Sequence, residues 1–273
     1  MKKIIPFLLL FLVNTHLHAE DGYDLWLRYK KIDDIKTLAS YKTSITGIMV
    51  VGNSPTHLAA AEELKLGLNG LMGSSISTHS SLQQGSLVVG TISSLKNTIK
   101  DKLPDVSGKE GFAIYSMNIS GKKITLITAN ENIGLLYGSF HFLRLMQSFK
   151  PISSLAINSS PALQLRLLNH WDNLNRHVER GYAGISIWNW HTLPDYKDKR
   201  YKDYARANAS IGINGVTVTN VNANAMVLTK PYLEKIAALA DIFRPYGIKI
   251  FLTARFSAPM ELDKFKTADP LDE

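Results

Sequence analysis

Three apolar runs that each end abruptly in hydrogen-bonding side chains constrain this chain more than any other feature. They are Arg166-Leu-Leu-Asn-His-Trp-Asp-Asn173, Gly215-Val-Thr-Val-Thr-Asn-Val-Asn-Ala223 and Lys249-Ile-Phe-Leu-Thr-Ala-Arg-Phe256. A short apolar run bounded in this way reads as a buried strand. In an α/β barrel the strand interiors fill the core and their C-terminal ends carry the site, so the repeat predicts ligand chemistry delivered from strand tips. Helical patterns over Lys202–Ile211 and Pro231–Phe243 separate the runs, and strand–helix–strand spacing of this kind implies parallel strands. Three such strands leave a sheet edge unpaired. The expectation is therefore a fragment or a truncated gene product.

Ahead of this region, from Glu20 to about Lys150, strands and helices also alternate. The pattern predicts a strand over Tyr23–Tyr29, a buried strand over Ile45–Val51 and a helix over Leu58–Leu71. It continues with a strand over Ser86–Thr91, a weaker helix through Leu95 and Ile99, and a hairpin of Phe112–Ile119 and Lys123–Thr128 turned by Gly121. A helix over Ile133–Phe149 follows, capped by Asn130 and closed by Pro151. The expected organisation is an α/β domain over 20–150, a linker over 151–162, and the first three strands of a larger unit over 163–273. Gly67, Gly70 and Gly73 sit late in a helical pattern and follow no strand, which argues against a dinucleotide fingerprint.

Residues 1–19 read as a secretory signal peptide. Lys2 and Lys3 precede the apolar run Ile4–Val13, small Ala19 ends the segment, and the run is too short to span a bilayer. Export to a periplasm or the exterior is expected, with no membrane association after cleavage following Ala19. The chain has no cysteine, so it is expected to rely on burial rather than on disulfides. Losing Lys2 and Lys3 lowers the net charge from +8 to +6. The basic residues are scattered, with no run of five and no aromatic-interleaved stripe, which argues against a nucleic-acid partner. The histidines show no metal-ligand spacing, and no cofactor is expected.

At the tips, each residue has two readings. Trp171 could pack its face on a sugar ring, or pack beneath the loop above it. His170 could handle protons, but a lone histidine at a strand end is more often a hydrogen-bonded structural group. Asn220, Val221 and Asn222 suit a polyhydroxylated ligand, while an Asx turn serves equally. Arg255 could hold a carboxylate or organise nearby loops. Glu179-Arg180 and the aromatic run Ile187–His191 lie in a long loop that reads as a wall over the site, with Glu179 and Arg180 forming a local ion pair. Glycoside hydrolysis uses two carboxyl groups flanking the scissile bond. Asp172 and Glu179 are the carboxylates in suitable positions, neither has a partner on another strand end, and the catalytic pair is expected to be missing.

Six segments together resemble the α-glucuronidases of glycoside hydrolase family 67: Glu20–Tyr29, Leu136–Arg144, Arg166–Asn173, Glu179–Gly184, Tyr204–Asn214 and Phe243–Ile248. The resemblance implies a hexosaminidase-like N-terminal α/β domain followed by the first three β/α units of an incomplete TIM (β/α)8 barrel. It implies removal of glucuronic acid or its 4-O-methyl ether from xylan-derived oligosaccharides, with inversion and no cofactor, by enzymes that dimerise through a C-terminal helical domain. By the same resemblance Trp171 lines the uronate pocket, Val221 lies near the 4-O-methyl group, and Asn222 and Arg255 are neighbours on that rim. The family's acid and base come from later strands, so this chain alone is expected to be inactive. Asn175-Arg176 stand where relatives tend to have Asp-Gly, which makes a differently shaped first loop. The alternative is a non-catalytic carbohydrate-binding protein; a hexosaminidase-type barrel hydrolase fits the six segments less well.

Overall fold

The computed structural model of the protein describes residues 20–99, 102–253 and 255–263. The expected signal peptide and the polar tail beyond Asp263 lie outside these residues. The fold is mixed α/β, with two sheets over one shared core.

In chain order the first region contains α1 (Ile35–Ser44), β1 (Gly47–Val51), α2 (Pro55–Met72), β2 (Ser77–Thr78), β3 (Ser86–Thr91), α3 (Ile92–Leu95), β4 (Phe112–Ile119), β5 (Lys122–Ala129), α4 (Asn132–Gln147) and β6 (Ala156–Ser159). Its six strands run in the order β2-β1-β3-β5-β4-β6, parallel from β2 to β5 and antiparallel from there to β6. The β4–β5 turn places Ser120 and Gly121 at φ +51° and +77°, the two positive angles of a two-residue hairpin turn. β3 is buried along its whole length because both faces are covered. Leu87 and Val89 face the main core, whereas Val88 joins Met49, Leu126 and Leu95 in a smaller cluster on the other side.

α2 has clear start and stop signals. Ser54 caps it by accepting from the His57 N–H, Pro55 occupies the first turn, and Gly73 ends it in the left-handed region at φ +63°. Its internal glycines have a packing reason. A Cβ on Gly67 would lie 2.6 Å from Leu143 of α4, and one on Gly70 would lie 2.5 Å from the Tyr29 carbonyl. The spaced glycines therefore let α2 approach its neighbours closely.

The second region contains β7 (Leu167–Asn169), α5 (Lys199–Ser210), β8 (Gly215–Thr217), α6 (Lys230–Phe243), β9 (Lys249–Phe251) and α7 (Ala258–Asp263). The three strands form a parallel sheet in the order β7-β8-β9, in register at Asn169, Thr217 and Phe251. All three are shorter than the sequence pattern suggests. β7 begins late, at Leu167, and ends at Asn169, while β8 and β9 stop at Thr217 and Phe251.

Several expectations are corrected. Tyr23–Tyr29 is not a strand: it is a 3-10 turn over Leu25–Leu27, entered and left through positive φ at Leu25 and Tyr29. Its alternation has another cause, because Tyr29 and Leu27 enter the core while Trp26 donates its indole N–H to Ser210 Oγ at 2.7 Å. Asn130 does not cap α4. The cap position is Glu131, and the Asn130 amide donates to the carbonyls of Val106 and Gly108. α4 ends at Gln147, ahead of the expected Phe149. The weak helix around Leu95 is one short turn, and α1 and β2 carry no prediction. The expected linker contains β6, whose Ile157 pairs with Ile114 of β4.

Two polar networks fasten the regions together. Glu63 on α2 is buried and accepts from Tyr29 Oη at 2.7 Å and from Arg206 on α5 at 2.8 and 2.9 Å. At the start of the small sheet, Arg166 donates to Glu110 and to the Gly212 carbonyl, and the Asn214 amide donates to Glu110 at 3.1 Å. Both carboxylates thus meet guanidinium and further hydrogen-bond donors, the condition for keeping charge inside a protein.

Candidate functional site

The C-terminal ends of β7, β8 and β9 point the same way because the strands are parallel. Just past β7 the chain is fixed to β8 and to the turn beyond it: the His170 N–H donates to Thr217 at 3.2 Å, and the Asp172 carbonyl accepts the Asn220 N–H at 2.8 Å. Trp171 precedes that second bond and Val221 follows it. Trp171 is 50% exposed and Val221 48% exposed, so an aromatic face and a small apolar group stand on neighbouring tips in contact with solvent. Asn222 is exposed beside Val221, and its backbone N–H donates to Asn220 Oδ1 at 2.8 Å. That bond is the Asx turn held open as an alternative for Asn220, leaving Val221 and the Asn222 side chain to face outward.

The loop after β7 closes back on the tip as a small hairpin, with bridges between Asp172 and Val178 and between His177 and Ile185. Arg176 takes φ +73° and Glu179 φ +54°, with Gly181 and Gly184 also positive. Left-handed backbone is uncommon in residues that carry a Cβ. Asn175-Arg176 therefore form the tight part of the first loop, at a position where glycine adopts the same angle without cost.

Polar groups at the tips divide into framework and free surface. Asp172 is 3% exposed, and its carboxylate accepts from the Ser186 hydroxyl, which in turn accepts the Trp188 N–H at 3.0 Å. The loop thus supplies the donor that a carboxylate in its core needs. Tyr204 Oη lies 2.8 Å from His170 Nε2. Burial first, and then the Asp172 charge, push the Tyr204 hydroxyl pKa upward, so the phenol keeps its proton and can donate to His170. The other ring nitrogen of His170 lies 3.6 Å from Asp172 Oδ1. His170 belongs to the framework.

Glu179 forms no ion pair with Arg180 among the described residues. Its carboxylate instead accepts from Asn220 Nδ2 at 2.9 Å, across to the β8 tip. The aromatic run is not an exposed wall either. Trp188 and Trp190 are fully buried, and Trp188 packs edge-on to Tyr204 with ring centres 5.0 Å apart. Sequence reasoning assigned no part to Ser186 or Tyr204. Serine and tyrosine at those spacings carry no signal until the loop is folded back.

At β9, Arg255 pairs with Glu261 of α7, and Ser257 donates to the same carboxylate at 2.5 Å. The Ser257 bond first, and the Arg255 guanidinium next, hold the Glu261 carboxyl below its ordinary range. α7 packs against the 3-10 turn Ala225–Leu228 that follows the β8 tip. Arg255 thus organises the loops of this rim, one of its two readings. Phe256 beside it is fully exposed. Depressions of about 500 and 270 Å³ flank α5, and neither lining includes Trp171, Val221, Asn222 or Arg255.

The model for the glycosyl hydrolase family 67 N-terminus matches residues 25–142, and that for the glycosyl hydrolase family 67 middle domain matches residues 145–273. Probable alpha-glucuronidase A of Aspergillus clavatus is 33% identical over 283 residues, which cover 100% of this chain and 32% of the relative. Alpha-glucuronidase A of Emericella nidulans is 34% identical over 280 residues, covering 97% of this chain and 32% of the relative. The chain thus spans about a third of the length of the curated relatives it matches. Among solved structures, a GH138 enzyme targeting pectin rhamnogalacturonan II superposes with a TM-score of 0.51 at 17% identity, covering 75% of this chain and 24% of that one; the likeness is one of fold alone.

Proposed function

Because the chain belongs to glycosyl hydrolase family 67, we propose that its β7, β8 and β9 tips are one part of an α-glucuronidase site for glucuronic acid, or its 4-O-methyl ether, on xylan-derived oligosaccharides. In this reading β7 to β9, with α5 and α6, are the opening β/α units of a (β/α)8 barrel. Trp171 offers its face to the apolar face of the uronate ring, Val221 meets the 4-O-methyl group, and Asn222 bonds hydroxyls from beside it. Arg255 borders the same rim while held by Glu261. The observation that carries the reading is the pair of half-exposed apolar side chains, Trp171 and Val221, on tips joined by the Asp172–Asn220 backbone bond.

What these residues do is bind and orient. Inverting hydrolysis needs an acid and a base carboxyl about 6.5–9.5 Å apart, with room for water between sugar and base. Asp172 is buried beneath Ser186 and Glu179 is engaged by Asn220. Neither faces a second carboxyl across the rim among the described residues, and the reading leaves proton transfer to carboxyls that these residues do not supply. By itself the chain holds sugar and does not turn it over. Export through the N-terminal leader, and pairing of longer relatives into dimers, belong to the same proposal.

Calorimetric titration with 4-O-methyl-aldotriuronic acid tests it. The chain is expected to bind without releasing glucuronate, and Trp171→Ala to weaken Kd about 30-fold, since truncating a central aromatic anchor costs about 2 kcal/mol. Unchanged affinity in Trp171→Ala would remove the uronate pocket from these tips. Glucuronate release by the purified chain would show that the acid and base lie within it.

A further inference from the structure

Glu179 is bonded to both tips at once. Its backbone N–H donates to the Trp171 carbonyl at 2.7 Å, its own carbonyl accepts from Asn173 Nδ2 at 2.6 Å, and its carboxylate accepts from Asn220 Nδ2 at 2.9 Å. It does so with a left-handed backbone, φ +54°, in a residue with a full side chain. A left-handed non-glycine residue persists only where its surroundings hold it there. Here the holding contacts come from β7 on one side and β8 on the other.

The neighbours of those contacts are the apolar pair. Trp171 supplies the carbonyl that Glu179 holds, and Val221 follows the asparagine whose amide Glu179 accepts. Asn220 is also locked by its N–H to the Asp172 carbonyl and by its carbonyl, which accepts from Thr253 Oγ1 at 3.1 Å. Its side-chain bond to Glu179 adds a second link, beside the Asp172–Asn220 backbone bond, between this turn and the loop arising from the other tip. We propose that Glu179 is a positioning residue that sets the spacing between Trp171 and Val221, and through it the preference for a 4-O-methylated over an unmethylated uronate. The selectivity half of this proposal rests on the pocket reading above; the spacing half does not.

The test uses the purified chain and three variants, Glu179→Ala, Glu179→Gln and Asn220→Ala, with ¹⁵N NMR of the Trp171 indole and the Val221 and Asn222 amides. Without ligand, Glu179→Ala is expected to shift resonances at both tips. Asn220→Ala is expected to move the Trp171 indole although the two side chains belong to different strands. Glu179→Gln keeps an acceptor for Asn220 and restores the wild-type positions. A Trp171 indole unmoved by Asn220→Ala, or tips unmoved by Glu179→Ala, would overturn the proposal; if Glu179→Ala fails to fold, the Gln and Asn220 variants carry the test. Titration with methylated and unmethylated aldotriuronic acid then reads selectivity. Glu179→Ala is expected to shrink the ratio of the two Kd values at least threefold, and Glu179→Gln to keep it. A ratio unchanged in Glu179→Ala would sink the selectivity role. Should the wild-type chain bind neither sugar, the pocket reading fails, while the ligand-free spectra still decide whether Glu179 sets the spacing.

Discussion

Single side chains at the strand tips do two different jobs that look alike in a sequence. Asp172 and Trp171 are adjacent, yet one is buried with a serine for partner and the other stands half in solvent. Cutting Asp172 back to alanine leaves the Ser186 hydroxyl without its acceptor inside the loop, and an orphaned buried donor costs about 1–3 kcal/mol. Urea unfolding of Asp172→Ala is expected to show a loss of that size. The Asp172→Ala/Ser186→Ala double variant is expected to lose less than the sum of the singles, since both remove one bond. A strictly additive pair would mean that the Ser186 contact contributes nothing. The cluster at 169–173 announced a strand end, but framework and ligand surface both call for hydrogen-bonding side chains there. Only the return of residues 176–186 onto the tip separates them.

Elements were legible where the local signal agreed with its surroundings. α2 has its cap, its proline and its terminal glycine in sequence, and the β4–β5 hairpin has Gly121 in its turn. Tyr23–Tyr29 carries an alternation of large apolar residues that is shared by a strand and by a turn that packs alternate side chains down, and the positive φ values at Leu25 and Tyr29 leave no mark in sequence. β6 gives no strand signal within the expected linker because a four-residue edge strand of Ala, Ile, Asn and Ser has too little apolar pattern of its own; pairing with β4 organises it. The glycines of α2 offer a direct test of packing against propensity. Alanine at an open helical position gains up to about 1 kcal/mol over glycine. At Gly70 the added carbon would meet the Tyr29 carbonyl at 2.5 Å. Gly70→Ala is therefore expected to lower stability by about 1–3 kcal/mol, the cost of overpacking. Thermal unfolding checks this, and a gain in Tm would mean that the Tyr29 turn yields easily.

For the whole molecule, pH reports on burial. His57 and His141 have pKa values lowered from 6.5 chiefly by burial, so each favours the folded state above 6.5, and that contribution is lost as pH falls through the depressed folded values. Tyr137 is pushed from 10.0 to about 12, by burial and then by the Glu110 charge, and Tyr29, Tyr204 and Tyr246 are raised further. Raised folded values give a contribution fully present below pH 10 and lost as pH climbs through the folded values. Stability measured by denaturant unfolding is expected to form a plateau between about pH 6.5 and 10 and to fall on both sides. Tyr137→Phe is expected to flatten the decline between pH 10 and 12, and an unaltered alkaline limb would exclude Tyr137 as a source. The strand hidden in the supposed linker bears on the molecule as a whole. β6 is stitched into the first sheet up to Ser159, and Arg166 is clamped to Glu110 and Gly212 before β7 begins at Leu167. That leaves too short a free cord for the halves to swing like a gate, so the exposed Trp171 stands on a platform braced by the first sheet.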